Sequence, residues 1–133
     1  MSSLSAAQML MAKAMSETTL QRNVVDAARL LRAKFVYHTH DSRRSESGLP
    51  DLTIITEDDR LIYWECKTEV AARRMRTWAK TRTTGRTALR SARQLEVIAA
   101  FRRTGATARV IRPRDWISGY VIAELRAPEG SVQ

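Results

Sequence analysis

In the stretch GLPDLTIITEDDRLIYWECKTE, residues 48–69, Asp51 follows a proline, and Glu65 and Lys67 lie two residues apart near the far end. The chain carries 23 Lys+Arg against 14 Asp+Glu, so two carboxylates inside what otherwise reads as buried sheet need a reason. Leu52–Ile55 and Leu61–Cys66 are short β-prone runs, and TEDDR between them reads as the loop of a hairpin. If residues 56–60 form the connection, or residues 57–59 alone, Ile55 faces Leu61 and the same count sets Asp51 opposite Glu65, with Cβ atoms about 4.5–5.5 Å apart. A four-residue loop would instead separate their faces. Two carboxylates that close repel, and the pKa of at least one rises unless a hard cation such as Mg²⁺ sits between them. Alternation along the strand puts Lys67 on the face of Glu65, while Ile62, Trp64 and Cys66 point into a packed layer. There its ammonium can steady a water or offset charge on a phosphate under attack, a layout suited to phosphodiester hydrolysis. The alternative is a surface Glu65–Lys67 ion pair, with Asp51 capping a turn after Pro50.

Helical periodicity frames this hairpin. Leu20, Val24, Ala27, Ala28, Leu31 and Phe35 recur at helical spacing, with Ser16 or Thr18 as N-cap, which predicts a helix over about 17–33. Ser5 and Gln8 have capping-box spacing, so residues 1–16 form a short helix or an arm. Residues 38–50, HTHDSRRSESGLP, read as a loop. Ser91 is expected to cap ARQLEVIAAFRRTG, a helix that Gly105 ends; TARVI reads as a third strand, and RPRDWISGYVIAELRAPEG as a turn and a closing helix. The order predicts an α/β fold, a small mixed β-sheet flanked by helices, in one domain over residues 17–125, with residues 126–133 as a mobile tail.

A chain of 133 residues has the size of one domain, and no apolar run approaches the roughly 20 residues of a membrane span. No partnership with a membrane is expected. The N-terminal MSSLSAAQMLMAKAM lacks the order of a secretory signal, and the single cysteine excludes an internal disulfide, so the expected compartment is the cytosol of a bacterium or an infected host. A net charge of +9 favours a polyanionic partner, because cations that meet phosphates release condensed counterions.

The combination of Gly-x-Pro-Asp, a hairpin of suitable length and an apolar strand ending in Glu-Cys-Lys closely resembles the PD-(D/E)xK nuclease superfamily. More narrowly it resembles the virus-type replication-repair nuclease, or VRR-NUC, domains. The likeness runs from about Glu17 to Trp116. It takes in a first helix with a Glu and a nearby Gln (ETTLQRNVVDAARLL), then GLPDL, ECK, a Ser-x-x-Gln helix (SARQLEVIAAFRRTG) and a strand with a basic tail (ARVIRPRDW). The resemblance implies a restriction-endonuclease-like core and Mg²⁺ or Mn²⁺ as cofactor. Asp51, Glu65 and the backbone carbonyl of Cys66 would be metal ligands, Lys67 the catalytic base or transition-state stabiliser, and Glu17 the helix acid that reaches the metal shell. Gln94 would orient a water or touch the scissile phosphate. Each has an alternative in the residues themselves: an acid in a first turn suits the macrodipole, and Ser91-x-x-Gln94 is also a capping box.

Residues 70–90 exceed the short link usual in that family and read as a basic insertion, with seven cations and no acid. Arg73, Arg74, Arg76, Lys80, Arg82 and Arg86 are candidate DNA contacts, and Trp78 either stacks on an unpaired base or packs in the core. Arg43 and Arg44 are candidate phosphate contacts in the loop before Gly48. His38 and His40 alternate as strand neighbours do but fit no zinc spacing. Two functions follow: a metal-dependent endonuclease of phage or prophage type acting on branched or structured DNA, Holliday junctions included, or a DNA-binding module that keeps the nuclease fold without turnover. If junctions are the substrate, two symmetric cuts require a homodimer.

Overall fold

A computed structural model describes residues 3–39, 46–81 and 85–128. The hairpin forms as its loop length requires. Strands β2 (Leu52–Ile55) and β3 (Leu61–Cys66) pair antiparallel with Ile55 opposite Leu61 and Leu52 opposite Trp64. Residues 56–60 close on themselves: Thr56 N–H donates to the Arg60 carbonyl at 3.0 Å, and Arg60 N–H donates to Thr56 Oγ1 at 3.0 Å. Thr56 is buried, so its hydroxyl locks the connection from inside. Beyond β3 the chain crosses through α3 (Glu69–Thr81) and α4 (Arg86–Arg103) to β4 (Thr107–Ile111), which lies parallel to β3 with Glu65 beside Val110.

One further strand completes the sheet at the other edge. β1 (Phe35–His38) pairs antiparallel with β2, giving the order β1-β2-β3-β4. Phe35 falls in phase with the apolar spacing of the helix expected over about 17–33, whereas it opens β1. The cause is Arg32, whose φ of 62° stops α2 (Glu17–Leu30) in the left-handed conformation typical of a helix C-terminus. Ser16 caps that helix, accepting from Thr19 N–H at 3.1 Å, and α1 (Ala6–Ala14) opens with a complete Ser5–Gln8 capping box.

The sheet is covered on both faces. Ile62, Trp64 and Cys66 of β3 pack with Leu20, Val24 and Ala28 of α2 and with Val121 and Leu125 of α6 (Tyr120–Leu125), all of them buried. The alternate residues face α4, where Tyr63 stacks on Phe101 with ring centroids 3.8 Å apart. The closing segment is two helices, α5 (Pro113–Ile117) and α6, broken at Gly119 with its φ of 87°. The basic run holds a helix of its own in α3. Ser91 is no N-cap: α4 begins at Arg86 after Gly85, and Ser91 is buried in mid-helix. No helix among the described residues is long and apolar enough to cross a membrane. Residues 129–133 of the expected tail lie outside the described residues.

Gly48 sets how closely the loop before Asp51 approaches α4. Its φ is 86°, and a Cβ there would lie 2.7 Å from Val97 Cγ2 and 2.9 Å from the Arg93 carbonyl oxygen. Gly105 also has positive φ, 95°, but a Cβ there meets nothing within 4 Å. Gly48→Ala is therefore expected to destabilise by about 2–4 kcal/mol, from left-handed strain plus overpacking, and Gly105→Ala by about 1 kcal/mol. Thermal or urea unfolding of the two variants checks the ordering, and equal losses would contradict it.

Candidate active site

The site forms where β3 ends. Continuing the β2–β3 ladder one step past Leu52 and Trp64 sets Asp51 opposite Glu65. Asp51 is fixed by what it accepts: its Oδ2 takes hydrogen bonds from Gln21 Nε2 and from Cys66 N–H, each at 3.1 Å. A proline before Asp51 and an antiparallel partner after it thus turn this carboxylate inward, across the strand end. Glu65 is buried, at 2% exposure. Its Oε2 forms an ion pair with Lys67 Nζ at 3.4 Å and accepts from Gln94 Nε2 at 3.3 Å. Lys67 is 18% exposed in its side chain, so the pair is not a solvated surface bridge.

The electrostatics follow from this packing. Burial, then the Asp51 charge and a hydrogen bond with the Asp51 carboxyl, push Glu65 up to about 8, against the opposing pull of Lys67. Glu17, half-buried in the first turn of α2, is raised by burial and then by Asp51, while Lys67 lowers it. Burial, followed by Asp51, Glu65 and Glu17, pushes the Cys66 thiol up. Three acids and one lysine therefore share one field at the end of β3.

Two acceptors are left over. Glu65 Oε1 and Gln94 Oε1 are buried and have no hydrogen-bond partner among the described residues. Buried acceptors without donors are uncommon, and an ion with its waters would satisfy both. No group of three or more His, Cys, Asp or Glu side chains among the described residues is arranged to hold a metal ion. The donor set is two carboxylates, which suits Mg²⁺, an ion commonly held by one or two carboxylates with the rest of its shell from water and substrate.

The structure brings Asp51, Glu65, Lys67 and Gln94 together, with Glu17 within range of their charges. The Gln94 contact also decides against the capping role, since α4 starts well before Ser91. Gln21 had no assigned role, although it holds Asp51 directly; the signal was its place one helical turn after Glu17. Also unforeseen are Glu69 and Asp115. Buried Glu69 accepts from Arg114 N–H at 2.9 Å and from its guanidinium at 3.2 Å, tying α3 to α5. Asp115 accepts from Arg112 N–H at 2.8 Å and pairs with Arg109 at 3.5 Å.

Arg73, Arg74, Arg76 and Lys80 are exposed on α3, Arg86 is exposed at the start of α4, and Trp78 is half-buried. His38 ends β1 opposite Leu52 and lines a cleft of about 470 Å³ with Gln21, Arg22 and Arg29. His40, Arg43, Arg44 and Arg82 lie outside the described residues. No protein-family model, curated protein or solved structure matches this chain.

The raised Glu65 makes metal-free stability depend on pH. Its carboxyl titrates at 4.5 when unperturbed and at about 8 in the fold, so folding takes up a proton between those values. The associated stability is fully present below the lower value and lost as pH rises through the upper one. Metal-free protein is expected to weaken from about pH 4.5 to about pH 8, and Glu65→Gln to flatten that fall and exceed the parent at the upper end by a few kcal/mol, on the order set by the shift. Urea unfolding of both proteins in chelator across this range measures the difference; parallel profiles would contradict it.

Proposed function

We propose that the protein is a divalent-metal-dependent endodeoxyribonuclease of the PD-(D/E)xK superfamily, in its VRR-NUC branch, built on a restriction-endonuclease-like core. The observation that carries this reading is the hairpin register that sets Asp51 opposite Glu65 and puts Lys67 against Glu65. The two acids would hold Mg²⁺ or Mn²⁺ with the Cys66 carbonyl, which lies between Glu65 and Lys67 in the chain. Such an ion, when bound, supplies positive charge against the phosphodiester oxygens.

The side chains divide the remaining work. Gln21 holds Asp51 in place through Oδ2. Lys67 faces the same volume as Glu65 and offsets charge on the phosphate as a water adds to it, or takes that water's proton. Gln94, with one amide end on Glu65 and a free buried oxygen, is suited to accept from and orient the attacking water. Glu17 adds negative charge at the periphery, which strengthens the hold on a cation. Exposed Arg73, Arg74, Lys80 and Arg86, with Trp78 beside them, offer phosphate contacts along α3 and the start of α4.

The substrate proposed is branched or structured DNA, four-way junctions included, in phage recombination, repair or replication within a bacterial cytosol. A homodimer then supplies the two symmetric cuts a junction needs. Cleavage of linear duplex, single strand, flap and four-way junction with Mg²⁺ or Mn²⁺ tests the reading. The expected result is cutting of a branched substrate, reduced at least about 10²-fold by Glu65→Ala or Lys67→Ala, with DNA affinity held within about threefold. Cleavage surviving in both variants would reject the site. Binding without cleavage of any substrate would make the chain a DNA-binding module with a nuclease fold.

A further inference from the structure

A cleft of about 360 Å³ opens between α3, α4 and β4, beside the acid pair but separate from it. Its floor is apolar, with Ala72, Met75, Leu95, Ile98 and Val110, and its rim carries Arg76, Arg102, Arg109 and Arg112. The register fixes its position. Val110 is the strand neighbour of Glu65, and Leu95 follows Gln94 in α4. Lys67 N–H donates to the Ile111 carbonyl at 3.0 Å, which continues the parallel ladder and brings Arg112 alongside Lys67. Adjacent strands lie about 4.8 Å apart, so a strand of DNA at Lys67 passes directly onto the arginine rim.

Three of the four arginines are held by contacts. Arg102 Nε donates to the Ala108 carbonyl at 2.6 Å, which orients its guanidinium. Arg109 reaches the cleft from the open edge of β4, with one nitrogen 3.5 Å from Asp115 and its guanidinium 4.3 Å from the Tyr120 ring centre. Arg112 lies 4.0 Å from the same Asp115. One acid thus serves two of the four guanidiniums. Burial and then the neighbouring Arg114 lower the Arg112 pKa, Arg76 adding to the effect and Asp115 and Glu69 opposing it. An anion seated among these groups would relieve that repulsion. An apolar floor beneath a cationic rim matches one ligand chemistry in particular, a nucleotide unit whose phosphate is charged and whose unstacked base is flat and apolar on its faces.

We propose that this cleft is a subsite for one nucleotide of the DNA strand next to the scissile phosphate, the phosphate on Arg76, Arg102 and Arg112 and the unstacked base against Leu95 and Val110. The proposal rests on the nuclease reading for the identity of the strand, but its test does not require cleavage. In EDTA, binding of a fluorescent oligothymidylate of about ten nucleotides is compared with binding of an abasic strand of equal length and charge. Arg76→Ala combined with Arg112→Ala is expected to weaken the oligothymidylate complex about tenfold or more and to lower the slope of log affinity against log salt by about 0.7, the value for one phosphate contact on a single strand. The control pair Arg103→Ala and Arg126→Ala, exposed arginines outside the cleft, removes the same charge and is expected to cost less than about threefold.

The wild-type protein should prefer the base-bearing strand, and the cleft variant should lose most of that preference. Arg76→Glu, a surface substitution on α3, gives the same readout should the double variant unfold. Equal losses from the two double variants, or a wild-type protein indifferent to the bases, would overturn the subsite. Cleavage with an unaltered cleft variant would leave the nuclease reading standing and remove this inference; a base-dependent cleft in a protein that never cuts would do the reverse.

Discussion

The forced proximity of Asp51 and Glu65 is the constraint from which the rest of the structure takes its meaning. Nothing in hydrophobic burial calls for two carboxyl groups set opposite each other at the end of a buried strand, and the cost appears in the elevated Glu65 pKa. The fold meets that cost with specific partners: Gln21 and the Cys66 amide on one acid, Lys67 and Gln94 on the other. They come from α2, from α4 and from the end of β3 with the residue that follows it. Taking away the antiparallel register of β2 and β3 would scatter all of them.

The sheet makes this possible by dividing labour along β3. Ile62, Trp64 and Cys66 anchor the strand in the core against α2 and α6, so the strand cannot slide without exposing Trp64. The intervening positions turn toward α4 and deliver Tyr63 to Phe101 and Glu65 to Gln94. Rigid packing on one face therefore holds polar chemistry on the other. Glu69, buried against Arg114, joins the start of α3 to α5 directly after this strand and keeps the basic segment beyond β4 close to the same edge. Acid pair and arginine cleft share a boundary for that reason.

Much of this could be read from residue order, because it depends on counting. The five residues 56–60 fix which side chains face each other, so the pairing of positions 51 and 65 and the placement of Lys67 followed from arithmetic on the hairpin. β2, β3 and β4 appear at the boundaries their β-branched runs suggest. What escaped is equally physical. Phe35 falls in phase with the helix before it, and only the left-handed turn at Arg32, invisible in hydrophobic pattern, releases it into β1. Ser91 sits at capping-box spacing from Gln94, but a helix that starts at Arg86 buries it and frees the glutamine for Glu65. The run of cations after residue 70 reads as an insertion only by comparison with the short link of the resembled family; its helix α3 turns Ala72 and Met75 inward, a sparse apolar side that seven cations obscure. Arg102, Arg109 and Arg112 lie on two elements and a linker, so no local spacing announces that they meet.

The central claim is that this acid pair exists to grip a divalent ion. Anomalous diffraction from crystals soaked in Mn²⁺ addresses it without reference to any substrate or activity. The account predicts a single strong peak in direct coordination with carboxyl oxygens of both Asp51 and Glu65, lost in Asp51→Asn crystals. Strong manganese peaks that avoid this pair, or no peak at the pair at saturating ion, would contradict it.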